Sequence, residues 1–150
     1  MAYYNFRQDL KEGFKGEKFI VTYLESKGST YLHSNNDNKY DIKMIKDNKE
    51  TTYEIKTDVF CTPTQDRGNL FVEFECRDKA SGIEVTQADW FVTFFPFLRE
   101  IWFIQSSDLK SLIETENFRT TSQSGDVGSN TRGHLIPRNK YKQYFHVRTL

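Results

Sequence analysis

The sequence has few residues of the types that build metal clips and disulfide scaffolds. It contains two cysteines, Cys61 and Cys76, and three histidines in 150 residues. The cysteines do not form a Cys-x-x-Cys pair, and the scattered histidines complete no zinc-binding pattern. A zinc-stabilised or disulfide-stapled domain is therefore excluded, and we expect two reduced thiols, as in an intracellular protein.

Long apolar runs are also missing. No stretch approaches the roughly twenty apolar residues that a membrane-spanning helix needs. The N-terminal segment, residues 1–5, lacks the apolar centre of a signal peptide. We therefore expect a soluble cytoplasmic protein with no membrane partner, encoded by a cell or by a phage in a bacterial host.

Net charge is absent as well, since 21 basic residues balance 21 acidic ones. Nucleic-acid-binding proteins are often basic overall, so the total does not favour that class. The position of each charge decides binding, however, and an acidic metal site would offset basic residues elsewhere. What the sequence does have is apolar bulk: 37% hydrophobic residues, with thirteen Phe and eight Tyr. This composition predicts one packed domain over residues 1–150.

Apolar periodicity and turn residues predict the order of the elements. Apolar residues three and four positions apart predict a first helix that ends at Gly28. Ser107 or Asp108 should cap a later helix. The expected elements are a helix over 6–27, a polar loop over 34–38, a three-stranded meander over 40–46, 51–58 and 69–77, a short helix within 83–89, strands over 90–97 and 100–105, a helix through about 116, and a last strand over 144–147. The pattern indicates a mixed α/β domain around one sheet, with a core over 1–118 and a basic, Gly-rich tail over 119–150.

The chemistry-bearing residues lie on the predicted hairpin. Side chains alternate across a strand, so Glu54 and Lys56 share one face. The end of the second strand of an antiparallel hairpin lies beside the start of the first, which places Asp41 near Glu54. Glu17 lies on the apolar stripe of the first helix, where an unpaired carboxylate is costly to bury. Two alternatives without a functional site stay open. Glu54 and Lys56 could form an ordinary solvated face of the hairpin, and Glu17 could reach solvent at the edge of the apolar stripe.

A divalent cation would make this group of residues useful. Two adjacent carboxylates raise each other's pKa by repulsion, and a cation removes that cost. Mg²⁺ takes oxygen ligands and typically uses one or two carboxylates together with water and substrate phosphate. Lys56 beside them would position a water molecule or stabilise charge on an attacked phosphate. The residues therefore predict a Mg²⁺ or Mn²⁺ site.

Asp41 followed by Glu54-Ile55-Lys56 on the next strand resembles the signature of the PD-(D/E)XK nuclease superfamily, with Tyr40 in place of its proline. The stretch 81–90, Ser-Gly-Ile-Glu-Val-Thr-Gln-Ala-Asp-Trp, is similar to the segment that leads into the fourth strand of resolvase-like members. The resemblance covers most of the chain and implies an α/β fold with a restriction-endonuclease-like core, in which helices flank a central mixed sheet. It also implies a metal-dependent endonuclease that cleaves DNA, branched or structured DNA included, by means of a metal-activated water.

The resemblance implies a role for each residue of the group. Asp41, Glu54 and the backbone carbonyl of Ile55 would bind Mg²⁺ or Mn²⁺, Lys56 would position the attacking water, and Glu17 would be an extra ligand. DNA is the expected partner, and a homodimer is a candidate assembly. The residues assigned to nucleic-acid binding are Gln87 in the resolvase-like stretch, and Arg132, Arg138 and Lys140 in the tail.

Two alternatives come from other functional classes. The first is a non-catalytic nucleic-acid-binding domain that keeps the nuclease fold; the intact Asp41, Glu54 and Lys56 argue against it, since a degenerate copy tends to lose one of them. The second is an unrelated α/β domain with an accidental Glu-x-Lys. A structure with Asp41 far from Glu54 would favour the second.

Overall fold

The computed structural model describes residues 6–35, 39–123 and 130–150, with side chains given except at 6–14 and 123. Its helices are α1 (Phe6–Ser26), α2 (Ser106–Glu116) and α3 (Arg138–Tyr141), with 3-10 turns at Gly82–Glu84 and Lys142–Tyr144. Its strands are β1 (Thr30–Ser34), β2 (Ile42–Lys46), β3 (Lys49–Thr57), β4 (Asn69–Cys76), β5 (Lys79–Ala80), β6 (Trp90–Phe95), β7 (Glu100–Gln105), β8 (Thr120–Gln123), β9 (Thr131–Pro137) and β10 (His146–Thr149).

The strands form two sheets, so the protein is a mixed α/β domain. Within the described residues, the larger sheet has six strands in the order β1-β2-β3-β6-β7-β10, and the smaller has four in the order β5-β4-β9-β8. The larger sheet is mixed, because β3 and β6 run parallel while its other neighbouring pairs are antiparallel. The crossover from β3 to β6 contains β4, β5 and the turn at Gly82–Glu84.

The predicted hairpin is confirmed. β2 and β3 pair antiparallel from Ile42↔Tyr53 to Lys46↔Lys49. The turn residues Asp47 and Asn48 both have positive φ, at 52° and 63°. Two such residues form the tight turn whose twist matches a hairpin, and Asn and Asp tolerate this conformation better than most residues. The first helix also ends near its predicted stop, since Gly28 follows it with φ 98°.

Each face of the larger sheet packs against a different partner. Helix α1 covers one face through Ile20 and Leu24, which join a core cluster that contains Ile55 of β3. Leu70 and Val72 of β4 belong to a second cluster, which contains Phe91 and Phe95 of β6 and Leu109 of α2. Because side chains alternate along β3, Glu54 and Lys56 point away from the face of Ile55. They therefore lie on the side of the sheet that the smaller sheet also covers.

Two expectations about the sheet were wrong. Residues 69–77 do form a strand, but β4 pairs with β5 and β9 in the smaller sheet and does not extend a meander with β3. The neighbour of β2 is instead β1, which periodicity missed because all five of its residues are exposed. A single sheet was also expected, whereas the described strands form two. The second face packs against the smaller sheet as well as α2, because β4 carries its own apolar face.

The C-terminal segment is not a tail outside the core. β9 lies between β4 and β8, and β10 forms an edge of the larger sheet. Ile136, Tyr141 and Phe145 are buried in the core cluster. The Gly-rich residues 124–129 lie outside the described residues. The predicted cap of α2 was also displaced, since the helix starts at Ser106 with Gln105 as its N-cap.

The helices among the described residues include none with the length and hydrophobicity needed to cross a membrane. Cys61 and Cys76 are free thiols. Burial and the neighbouring charge of Asp58 raise the pKa of the Cys61 thiol to about 11, so it stays protonated at neutral pH.

Candidate active site

Asp41 extends the pairing of β2 with β3 by one residue. Its backbone N–H donates to the carbonyl of Tyr53 over 2.9 Å, which extends the ladder beyond the last strand pair, Ile42↔Tyr53. Beyond that point the Asp41 side chain takes over, since Oδ2 accepts a hydrogen bond of 2.7 Å from the backbone N–H of Ile55. The Asp41 carboxyl is therefore fixed to the strand that carries Glu54.

The same bond locates the carbonyl of Ile55. In an antiparallel ladder a residue's N–H and C=O point toward the same neighbouring strand. Since the N–H of Ile55 points to Asp41, its carbonyl lies on that edge of β3 too. A metal ion bound by both Asp41 and the Ile55 carbonyl would require the carbonyl to lie on this edge.

Glu54 is buried, with 9% of its surface exposed. One carboxylate oxygen, Oε1, lies 3.4 Å from the ammonium of Lys56. The other, Oε2, accepts a hydrogen bond of 3.4 Å from the hydroxyl of Thr86. Burial of a carboxylate is costly unless donors satisfy it. Each oxygen of Glu54 has such a donor, and this arrangement fixes the direction of the carboxylate.

Glu17 reaches the same place from helix α1 because a glycine precedes it. A Cβ atom on Gly16 would lie 1.8 Å from Oγ1 of Thr57 on β3, so the helix approaches the strand more closely than any side chain would allow. Glu17 is half-buried there. The charges of Asp41, Glu54 and Lys56 all act on its carboxyl. Asp41, Glu54 and Lys56 thus lie together at one end of β3, and Glu17 on α1 is close enough for their charges to act on its carboxyl.

The three carboxyl groups hold their protons more tightly than ordinary carboxyl groups. Burial, then the charges of Asp41 and Glu54, raise the pKa of Glu17 to about 7. Burial also raises the pKa of Asp41, although the N–H of Ile55 and the charge of Lys56 oppose it. The pKa of Glu54 is raised by burial, with Lys56 opposing and Asp41 adding to the shift. Burial is the largest cause of all three shifts, so the raised pKa values reflect mainly the removal of these carboxyl groups from water.

Lys56 carries a positive charge beside these carboxyl groups. Its side chain is 38% exposed. Burial lowers its pKa, but the charges of Glu54, Glu73 and Asp41 outweigh burial and raise it above the ordinary value. At neutral pH Lys56 therefore carries its proton, and it acts as a hydrogen-bond donor and a positive charge.

The residues fit a divalent metal by their chemistry. Carboxylates and a backbone carbonyl are the oxygen ligands that Mg²⁺ and Mn²⁺ use. Among the described residues, no group of three or more His, Cys, Asp or Glu side chains lies close enough together to hold a metal ion without rearrangement. As they stand, Glu54 is bound to Lys56 and Thr86, and Asp41 to the backbone of β3. A cation would have to compete with these donors for the carboxylate oxygens.

The residues predicted to bind nucleic acid are spread out. Gln87 has an exposed side chain and directly follows Thr86, whose hydroxyl contacts Glu54. Arg132 is exposed, ion-paired to Glu75 over 3.0 Å. Lys140 is exposed on α3, with its ammonium 5.5 Å from the ring centre of Tyr141.

The structure places Arg138, a residue predicted to bind nucleic acid, inside the protein. Its side chain is buried, forms an ion pair with Asp66, and donates to the carbonyl of Asn69 over 3.1 Å. The guanidinium also lies 4.8 Å from the ring centre of Phe95. Arg138 therefore anchors the loop between β3 and β4 to the core, and its donors are engaged inside the protein.

Sequence reasoning missed two residues. Thr86 contacts Glu54 directly, and its signal was the resolvase-like stretch from which only Gln87 was selected. Glu73 on β4 acts on Lys56 by its charge. No local pattern could identify Glu73, because it comes from the other sheet.

Comparison with known proteins gives no relative for this chain: no family model, curated protein or solved structure matches it.

Proposed function

We propose that the protein is a divalent-metal-dependent endonuclease with a restriction-endonuclease-like core that hydrolyses phosphodiester bonds in DNA. The observation that carries this proposal is the meeting of Glu17, Asp41 and Glu54 beside Lys56 at one end of β3. The mixed sheet, the acid-bearing hairpin and the helix packed on its face support the same core.

The carboxylates would hold Mg²⁺ or Mn²⁺. Asp41 and Glu54 come from adjacent strands, the carbonyl of Ile55 lies on the edge that Asp41 occupies, and Glu17 closes the group from α1. A bound cation supplies Lewis-acid stabilisation of the charge that develops on the phosphate. Raised carboxyl pKa values support this assignment, because a cation favours the ionised forms that the metal-free protein disfavours.

Lys56 has the position and the protonation state to assist hydrolysis. One of its three N–H groups faces Glu54, which holds the ammonium beside the carboxylates. The others are able to donate to an incoming water molecule or to a phosphate oxygen. Because its pKa is raised, Lys56 does not accept the proton of the water. Its role is to orient the nucleophile and stabilise negative charge.

DNA is the proposed substrate, with Gln87 among the predicted binding residues. Its exposed side chain directly follows Thr86, whose hydroxyl contacts Glu54. Arg132 and Lys140 would contact phosphates farther along the strand. A homodimer that cuts both strands and a phage origin also remain proposals.

A cleavage screen tests the proposed function. The substrates are linear, nicked, flap and four-way-junction DNA, together with RNA, each in Mg²⁺, in Mn²⁺ and in EDTA. We expect cleavage of DNA only with metal, and none by Asp41→Ala, Glu54→Ala or Lys56→Ala, while DNA binding persists in the Lys56→Ala protein. Cleavage in EDTA, or equal cleavage by the wild type and Glu54→Ala, would reject the proposal.

A further inference from the structure

The segment between Gly82 and β6 touches β3 and the residues just before β2. The hydroxyl of Thr86 lies 3.4 Å from Oε2 of Glu54 and 3.4 Å from the backbone carbonyl of Lys39. The next residue, Gln87, donates its backbone N–H to that same carbonyl over 2.7 Å. This short segment therefore joins the backbone just before Asp41 to the carboxylate of Glu54.

The hydroxyl of Thr86 has a single proton, and its neighbours decide where it goes. The N–H of Ala88 donates to Oγ1 of Thr86 over 3.2 Å. The carbonyl of Lys39 already accepts the shorter bond from Gln87. A carboxylate is also a stronger acceptor than a neutral carbonyl. The proton of Thr86 is therefore directed to Glu54 whenever Glu54 is ionised.

The segment itself is held at both ends. Gly82 has φ 53°, and a Cβ atom there would lie 2.2 Å from the backbone oxygen of Glu73, so only glycine fits against β4. At the other end, Oδ2 of Asp89 accepts hydrogen bonds from the backbone N–H and hydroxyl of Thr52, over 2.9 and 3.1 Å. Thr86 is 4% exposed between these anchors, which leaves little room for water to replace its hydroxyl.

We propose that Thr86 is a positioning residue for the candidate metal site, whose hydroxyl holds Glu54 in the orientation that binds the cation. The inference rests on the proposed function and adds to it a residue outside the set of ligands. With Lys56 at Oε1 and Thr86 at Oε2, the carboxylate has donors from two separate elements. Without the hydroxyl, Oε2 loses its donor and the group is free to rotate about its last bond.

The test compares Thr86→Val, which removes the hydroxyl at nearly the same volume, with Thr86→Ser, which keeps it. Binding of Mn²⁺ alone is measured by titration calorimetry, and cleavage is measured at several metal concentrations. Loss of a group that orients a metal ligand typically costs about 10–100-fold in affinity or activity. We expect a loss of this size for Thr86→Val, near-normal values for Thr86→Ser, an unchanged KM for DNA, and recovery of kcat at high Mn²⁺.

The outcomes separate this inference from the proposed function. If the wild type binds Mn²⁺ and cleaves DNA but Thr86→Val does the same, the positioning role is overturned and the nuclease assignment stands. If Thr86→Ser is as impaired as Thr86→Val, the hydroxyl is not responsible, which also overturns the role. If the wild type neither binds Mn²⁺ nor cleaves, both fail. Should Thr86→Val not fold, Thr86→Ala takes its place in the comparison.

Discussion

The carboxyl group of Glu17 links the chemistry of the site to the stability of the protein. Its pKa is raised from 4.5 to about 7 in the folded state, by burial and then by Asp41 and Glu54. An acid with a raised pKa binds more protons in the folded state than in the unfolded state. Stability therefore falls as the pH rises from about 4.5 to about 7, and the full loss is present above that range.

Removal of this charge should stabilise the metal-free protein. We expect Glu17→Gln to have a higher free energy of unfolding than the wild type in EDTA at about pH 8, and a much smaller difference at about pH 4.5, where Glu17 of the folded wild type is protonated. Urea unfolding at the two pH values measures the difference. The same difference at both pH values, or a less stable Glu17→Gln at about pH 8, would show that folding does not raise the pKa of Glu17.

Arg138 is a residue whose position the sequence could not give. Removal of one partner of a buried ion pair typically costs about 3–5 kcal/mol, and Asp66 keeps some exposure, so we expect Arg138→Gln to lose about 3 kcal/mol. The exposed Lys140→Gln is the control and should stay within about 0.5 kcal/mol of the wild type. Chemical denaturation measures the free energy of unfolding of each variant. An Arg138→Gln protein that is as stable as the wild type but binds DNA more weakly would support a phosphate-binding role for Arg138.

The candidate site residues were predictable where chemistry and local geometry coincide. Alternation along one strand places Glu54 and Lys56 together, and a hairpin of fixed length brings Asp41 beside them. Glu17 was identifiable because a carboxylate on an apolar stripe requires an explanation. The same reasoning could not predict the position of Arg138. A basic residue after a Gly-rich stretch gives no sign that Asp66, from a loop distant in the sequence, forms an ion pair with it.

At the scale of elements, the approach of α1 to β3 decides where Glu17 lies. Gly16 allows it, because its missing Cβ leaves room for the side chain of Thr57. Gly16→Ala would improve the helix propensity by about 1 kcal/mol. It would also force a contact that typically costs about 1–3 kcal/mol, and it would move Glu17 away from Asp41.

We therefore expect Gly16→Ala to weaken Mn²⁺ binding and cleavage even though alanine favours helices. Thr57→Ala in the same chain removes Oγ1, the nearest atom to the new Cβ, and should restore part of the loss. Calorimetry with Mn²⁺ on the single and double variants measures the coupling. A Gly16→Ala protein that binds Mn²⁺ as the wild type does would show that this close approach does not position Glu17.

Most of the longer elements were predictable from periodicity, and two of the missed strands, β1 and β9, have clear physical causes. β1 has no buried face, so no alternation marks it. β9 contains Gly133 and Pro137, residues that usually interrupt strands, and its pairing with β4 overrides them. Propensity describes a segment alone, whereas β1 depends on its pairing with β2 and β9 on its pairing with the distant β4.

At the scale of the whole molecule, the two sheets depend on the C-terminal quarter of the chain. β9 is the main partner of β4, whose other neighbour, β5, has two residues. The sequence suggested a core that ends at residue 118. No local pattern shows which sheet a strand joins, and this is why one sheet was expected where the described residues form two.

A fragment of residues 1–118 should therefore not fold. It lacks Ile136, Tyr141 and Phe145 of the core cluster and leaves β4 without β9. We expect no cooperative thermal transition in circular dichroism and rapid digestion by protease, compared with the full chain. A soluble fragment with a sharp transition would show that the N-terminal part holds its own core.

The central claim is that Glu17, Asp41 and Glu54 together bind a divalent cation. Crystals soaked in Mn²⁺ and measured at its absorption edge test this most directly. We predict an anomalous peak within coordination distance of Asp41 and Glu54, absent from crystals of Asp41→Asn/Glu54→Gln. A map with no peak among these carboxylates, from a protein that cleaves no nucleic acid in Mn²⁺, would contradict the claim.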